Sequence, residues 1–228
     1  MARIVFDLDG TLIDSAPDIH ATANAVLAED GHAPISLEQA RGFVGNGVAV
    51  FIEKMRAVRD IPASAQDRLK SRFMARYDDA VSLTRPYPAV PEALSALKQR
   101  GHRLGICTNK PAGPAKAVLS HLRLDGHFDT VIGGDTMPLH KPDPAPLHAA
   151  FAALGTGAAI YVGDSEVDAE TARRAALPLL LFTEGYRKTS VEELPHAASF
   201  SDFSTLAGLI EDVIAGLGRA GPAGELTG

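Results

Sequence analysis

Cysteine is almost missing from this chain: Cys107 stands alone among 228 residues, so no disulfide can form within it. A reducing cytoplasm is therefore the compartment it suits. Long apolar runs are missing too. No stretch approaches the roughly 18 uninterrupted apolar residues of a membrane span, and the first apolar run carries two acids, so a secretory signal is not expected there. Nor is there an excess of positive charge. Lys and Arg number 22 against 28 Asp and Glu, a net charge of −6, which weighs against nucleic acid or an anionic membrane as partner. Internal repeats are absent as well. What the chain has is apolar content, 46% of its residues, enough at this length for a sizeable core in one domain, or one domain with an insertion.

Chemistry announces itself at the end of the first apolar run, Ile4-Val5-Phe6-Asp7-Leu8-Asp9-Gly10-Thr11. Two carboxylates one residue apart, where a buried strand turns into a loop, are costly to carry without a use. We read Asp7 as a nucleophile and Asp9 as its acid/base partner. Three more pieces stand at or beyond the ends of other apolar runs: Thr108-Asn109 after Leu104-Gly105-Ile106-Cys107, Lys141 beyond Val131-Ile132, and Asp164 with Asp168 after Ile160-Tyr161-Val162-Gly163.

The apolar runs at 3 to 8, 103 to 107, 131 to 134, 159 to 163 and 179 to 182 are short and nearly continuous, as strands covered on both faces should be. Helical segments alternate with the later ones: one from Pro91 to Gly101, one opening near Asn109 to Ala112 with Asn109 as its cap, one over Pro144 to Leu154 and one over Ser165 to Ala176. The predicted fold is α/β, a Rossmann-like doubly wound parallel sheet, in which carboxyl ends of strands line one crevice and distant residues can meet. Residues 14–82 break the alternation with helical periodicity and no convincing strand. They read as an inserted α-helical cap on a core of 1–13 and 83–217, with a disordered tail at 218–228. Ser36 and Gln39 mark a capping box, Val48 to Ile52 lies in another helix, and the basic residues from Arg56 to Arg76 read as solvated faces.

Asp7, Asp9, Asp164 and Asp168 in one crevice, with Lys141 as the named cation, would leave a charge of about −3 if all were ionised, and this would repel a phosphate. A divalent cation resolves the conflict. Carboxylate oxygens select a hard ion such as Mg²⁺, which bridges to a phosphate oxygen. Asp7 and Asp164 would be direct ligands, and Asp168 a direct or water-mediated one. Asp7 could then attack phosphorus while Thr108 and Lys141 hold the transferring group, and Asp9 would protonate the leaving oxygen and later activate water.

The Asp7-Leu8-Asp9-Gly10-Thr11 loop, Thr108, Lys141 in Lys141-Pro142-Asp143-Pro144, and Gly163-Asp164 with Asp168 resemble, in order, the four signature motifs of the haloacid dehalogenase-like superfamily. The resemblance spans residues 3 to about 185. It implies a Rossmann-like core with a helical cap, Mg²⁺ dependence, an aspartyl-phosphate on the first Asp, and the main-chain carbonyl of Asp9 as a further metal ligand. The carboxylate at Asp9 favours phosphate monoesters over the halide and phosphonate substrates of some relatives. Segments such as Leu12 to Asp18, Arg41 to Gly47 and Arg85-Pro86-Tyr87-Pro88 are similar to those of bacterial 2-phosphoglycolate phosphatases, except that Ala89 stands where a Gly is expected. That similarity implies a cytoplasmic monomer or homodimer acting on a small phosphorylated metabolite. Another small phosphate ester, a nucleotide, or a phosphomutase reaction is the alternative. For the carboxylate of phosphoglycolate, Arg41 with the Gly45-Asn46-Gly47 turn is the candidate, with Thr108, Asn109 and Lys141 on the phosphate side.

Overall fold

The computed structural model describes residues 1–219, and the side chains through Ala215 and Gly216. At its centre lies β1 (Ala2–Phe6), paired in parallel with β4 (Arg103–Cys107) and β6 (Ala158–Gly163), so that Val5 faces Gly105 on one side and Tyr161 on the other. Adding β5 (Thr130–Ile132), β7 (Leu179–Phe182) and β8 (Ala198–Phe200) completes a six-stranded sheet in the order β5-β4-β1-β6-β7-β8, and every pairing in it is parallel. Strands added outward on both sides of β1 are what a doubly wound sheet requires.

Alternation along the strands explains the two layers of helices. Ile4 and Phe6 of β1, with Leu104, Ile106, Ile160 and Val162, pack against α5 (Val90–Gln99), α6 (Ala112–His121) and α9 (Leu206–Arg219). Val5, with Cys107, Tyr161, Leu179 and Leu181, packs against α7 (Ala145–Ala153) and α8 (Glu166–Ala175). Both faces are thus covered, which is why these strands read as unbroken apolar runs. Cys107 is buried, and desolvation pushes its thiol up to about 12, so it serves as packing.

Between β1 and β4 the chain leaves the sheet through β2 (Ile13–Asp14) and returns through β3 (Arg85–Pro86), an antiparallel ribbon that the sequence pattern did not reveal. Four helices lie between these strands, α1 (Ala16–Glu29), α2 (Leu37–Phe43), α3 (Gly47–Ala57) and α4 (Gln66–Tyr77), around an apolar cluster of their own that includes Val26, Leu27, Ile52, Met55, Leu69 and Phe73. Ser36 and Gln39 form the expected capping box. The basic residues of α4 are not merely solvated: Arg68 and Arg72 both pair with Asp30 and Arg76 pairs with Glu29, tying α4 to the end of α1.

Two expectations at the ends of elements change. Pro111, not Asn109, precedes the first residue of α6, because the Asn109 side chain is engaged elsewhere. Helix α9 runs two residues into the expected tail, and residues 220–228 lie outside the described residues.

Candidate active site

The ladder carries each strand's first loop residue to the carboxyl edge of the sheet: the Asp7 N–H donates to Val162 O at 2.8 Å and the Thr108 N–H to Ile132 O at 3.0 Å. Asp164 follows β6 directly, and Ser165 caps α8 through a capping box whose second member is Asp168. One helix-start signal therefore also fixes a site carboxylate. Oxygens of Asp7, Asp164 and Asp168 all lie within 4.8 Å of one another. Lys141, from the loop after β5, puts its Nζ 2.8 Å from Asp7 Oδ1 and 2.7 Å from Asp168 Oδ1. The predicted convergence of distant residues is present.

Two glycines make room for this crowding. A side chain at Gly10, whose φ is +89°, would begin 2.6 Å from Asp164 Oδ2, and one at Gly163 would begin 2.5 Å from Asp168 Cβ. Neither approach is tolerable with a Cβ, and at Gly10 the positive φ is a second reason for glycine.

The three carboxylates are not alike. Asp168 Oδ1 accepts from Lys141 Nζ and from Tyr161 Oη at 2.6 Å, and Oδ2 from the N–H groups of Asp164 and Ser165 and from Ser165 Oγ. Five donors on a group with about four lone-pair sites leave it saturated. Burial works against its charge, but the Lys141 ammonium together with the hydrogen bonds from Lys141, Tyr161 and Ser165 holds Asp168 below the usual carboxylate range. Asp7 is raised to about 7, chiefly by desolvation, with the Asp168 charge adding to the rise and Lys141 opposing it. Burial, then the charges of Asp168 and Asp7, push Asp164 well up, although Thr11 Oγ1 donates to its Oδ1 at 2.6 Å and the Tyr186 N–H to its Oδ2 at 2.7 Å. Lys141 is itself held above its ordinary value: burial disfavours its charge, and Asp168 with Asp7 prevails. One ammonium is thus shared by Asp168 and Asp7, and three buried carboxylates remain short of positive charge. Asp7 Oδ1, buried and lying off a hydrogen-bond direction from Lys141, is the buried side-chain oxygen left without a hydrogen-bond partner among the described residues. A hard divalent cation between Asp7 and Asp164 fits this donor set and answers its charge deficit.

Asp9 stands beside the cluster with 10% of its side chain exposed. Ser15 Oγ donates to its Oδ1 at 2.5 Å, and Lys110 Nζ lies 3.2 Å from the same oxygen. Thr108 lines the cavity with Asp7 and Asp9, its Oγ1 accepting from the Lys110 N–H at 3.2 Å, which leaves its hydroxyl proton to donate. Asn109 lines the cavity too, but its side chain acts as a brace: it donates to Gly45 O and Lys141 O, both at 2.9 Å, and accepts from the Lys141 N–H at 3.0 Å.

Arg41 is placed differently. Its guanidinium pairs with Asp14 at 2.8 Å, 46% of its side chain is exposed, and it is not among the residues lining the cavities at Asp7 and Asp9. Sequence reasoning passed over three other groups. Lys110, 4% exposed, reaches Asp9 and also donates to Tyr77 Oη at 2.6 Å; burial works against its charge, yet Asp9 and Tyr77 hold its pKa above the ordinary lysine value. Tyr77, pushed up to about 12 mainly by desolvation, comes from α4 and stays neutral. Tyr186 donates its hydroxyl to Asp14 at 2.6 Å and its N–H to Asp164. The signal available for Lys110 was its position, directly after Thr108-Asn109 at the end of a buried strand.

A family model described as haloacid dehalogenase-like hydrolase matches residues 4–182. A Cereibacter sphaeroides protein named phosphoglycolate phosphatase is 50% identical over 218 residues, covering 94% of this chain and 100% of its own length. A Rhodobacter capsulatus protein of the same name is 45% identical over 210 residues, covering 91% and 96%. Among solved structures, that of a "predicted phosphoglycolate phosphatase" from Haemophilus somnus superposes with a TM-score of 0.84 at 28% identity, covering 91% of this chain and 96% of that one. With the sheet order, the acid cluster at its carboxyl edge and these matches in agreement, the chain belongs to the haloacid dehalogenase-like hydrolases.

Proposed function

We propose that this chain is a Mg²⁺-dependent phosphomonoester hydrolase that converts 2-phosphoglycolate and water to glycolate and phosphate. The observation that carries the reading is the meeting of Asp7, Asp9, Lys141 and Asp164 at one sheet edge in a chain 50% identical to a protein named for that activity. Asp7 and Asp164 would hold the metal, with the Asp9 carbonyl, and Asp168 would reach it through water, since its own oxygens are already occupied. When bound, the ion would neutralise charge on the phosphoryl oxygens and on Asp7.

This chain's residues do the rest. Thr108 and Lys141 hold the phosphoryl group, and an Asp7 oxygen attacks phosphorus as the bond to the ester oxygen breaks. Asp9 gives that oxygen its proton, so glycolate leaves as the alcohol. Asp9 then takes a proton from water, whose oxygen attacks the aspartyl-phosphate and releases phosphate with Asp7 restored. Residues 14–82 act as a cap over the core of 1–13 and 83–217, excluding bulk water from these steps. The site takes a small phosphorylated metabolite, in a cytoplasmic protein acting as monomer or homodimer. The buried lone Cys107 supports a reducing compartment, and no described helix is long and apolar enough to cross a membrane.

The test is phosphate release from a panel of small esters by purified protein, with Mg²⁺ and with EDTA. Phosphoglycolate should lead the panel, EDTA should stop turnover, and Asp7→Asn should abolish it while the melting curve is retained. Turnover that survives in Asp7→Asn, or a panel led by a neutral alcohol's ester, would overturn the reading.

A further inference from the structure

With phosphoglycolate as the substrate, the reading on which this inference rests, the site must accept an anion at each end. The phosphate end has Thr108, Lys141 and the metal site. The other end needs a partner for a carboxylate, and Arg41 is turned to Asp14. Around Asp9 the cavity receives Ile19, Val48, Phe51 and Phe73 from the helical cluster, which cannot pair with an anion, beside Gly45 and Gly47, which offer it no side-chain cation. Lys110 and Tyr77 line the same cavity. Lys110 comes from the sheet side and Tyr77 from the last turn of α4, and they meet at 2.6 Å with the ammonium 4.2 Å from the Tyr77 ring centroid.

We infer that Lys110 and Tyr77 together form the site that reads the carboxylate of the leaving alcohol. Donor geometry favours it. An ammonium has three N–H donors, and Asp9 and Tyr77 Oη take two of them, leaving a third for the cavity. The Tyr77 oxygen accepts from Lys110, so its own proton is free to donate. The leaving oxygen must face Asp9 to be protonated, and in glycolate the carboxylate is one methylene further on. The cation nearest Asp9 is therefore the one it meets. Lys54 and Lys188 line a second opening that Asp7 and Asp9 share with Asp164 and Glu166, but neither lysine pairs with Asp9 as Lys110 does.

The experiment compares phosphoglycolate with 2-hydroxyethyl phosphate, of equal length but ending in a neutral hydroxyl, in wild type, Lys110→Met and Tyr77→Phe. Lys110→Met should lower kcat/KM for phosphoglycolate on the order of 30-fold more than for the neutral ester, as loss of a hydrogen bond between charged groups predicts. Tyr77→Phe keeps the ring and its packing, and should shift the same ratio severalfold, chiefly through KM. Inhibition by glycolate, read on the neutral ester and so independent of phosphoglycolate turnover, should weaken in Lys110→Met by a similar factor. Equal losses on both esters with glycolate inhibition unchanged would reduce Lys110 to a support for Asp9 and overturn the inference while the phosphatase reading stands. A ratio that responds to Lys54→Met or Lys188→Met instead would also overturn it. A wild type that hydrolyses the neutral ester, ignores phosphoglycolate and is not inhibited by glycolate would overturn both.

Discussion

Asn109 donates its side-chain amide to the carbonyl of Gly45 at 2.9 Å while its oxygen accepts the N–H of Lys141 at 3.0 Å. One residue at the end of β4 thus ties the turn before α3 to the loop that carries the site's ammonium. A buried hydrogen bond of this kind contributes about 1 kcal/mol. Asn109→Ala should therefore raise KM for phosphoglycolate roughly fivefold and lower kcat less, since Lys141 keeps its carboxylate partners. Steady-state kinetics check this, and an unchanged KM would show that the link between Gly45 and the sheet is immaterial to binding.

Asp9 is assigned the proton that the leaving oxygen takes up. A poor leaving group such as an alkoxide needs that proton, whereas p-nitrophenolate departs without it. Asp9→Asn should accordingly slow hydrolysis of alkyl phosphates by roughly 10²- to 10⁴-fold and that of p-nitrophenyl phosphate far less. Equal losses on both esters would remove Asp9 from this role.

Metal and pH are coupled through Asp7. Without metal, the folded protein keeps a proton on Asp7 up to about pH 7, whereas an ordinary Asp releases it near 3.8. Between those values the folded state binds more protons than the unfolded chain, so this group's effect is a stability that falls as pH rises. A divalent cation offsets the buried charge, and the gain in melting temperature on replacing EDTA by Mg²⁺ should widen from pH 5 to pH 8. Thermal melts at stepped pH measure it. A gain that narrows with rising pH contradicts the assignment of Asp7 as a ligand.

Ala89, the departure from the glycine expected after Tyr87-Pro88, has φ +63° and ψ 6° just before α5. A left-handed backbone costs an L-residue about 1–2 kcal/mol, partly cancelled in glycine by the extra freedom of its unfolded chain. Ala89→Gly should stabilise the protein by roughly 0.5 kcal/mol, read as a higher denaturant midpoint with activity retained. A lower midpoint would mean that the methyl group's packing against Leu12 and Phe182's cluster outweighs the strain.

Much of the clustering at the candidate site was legible because a parallel sheet announces itself by unbroken apolar runs, and the residue after each run must lie at one edge. Asp7, Thr108 and Asp164 are such residues, and Asp168 follows from a helix-start signal four positions on. What escaped had no period to betray it. β2 and β3 are two residues each, and β8 is Ala198-Ser199-Phe200, too short for a pattern. Lys110, next to Pro111, reads like any lysine at a helix entrance, since the Tyr77 hydroxyl that engages it lies 33 positions away. Arg41 is placed away from the cavity lining for the complementary reason. Its charge was visible, but the claim of Asp14 on it depends on where the β2–β3 ribbon runs.

That ribbon has one more implication. Ile13 and Pro86 are cross-strand partners, so everything between them departs from and rejoins the sheet at neighbouring points. Closing a loop grows more expensive only logarithmically with its length, and the sheet registers little of what is spliced in. The helices spliced in there could thus be exchanged, enlarged or reshuffled over evolutionary time while the sheet edge that carries Asp7 and Asp164 stays as it was.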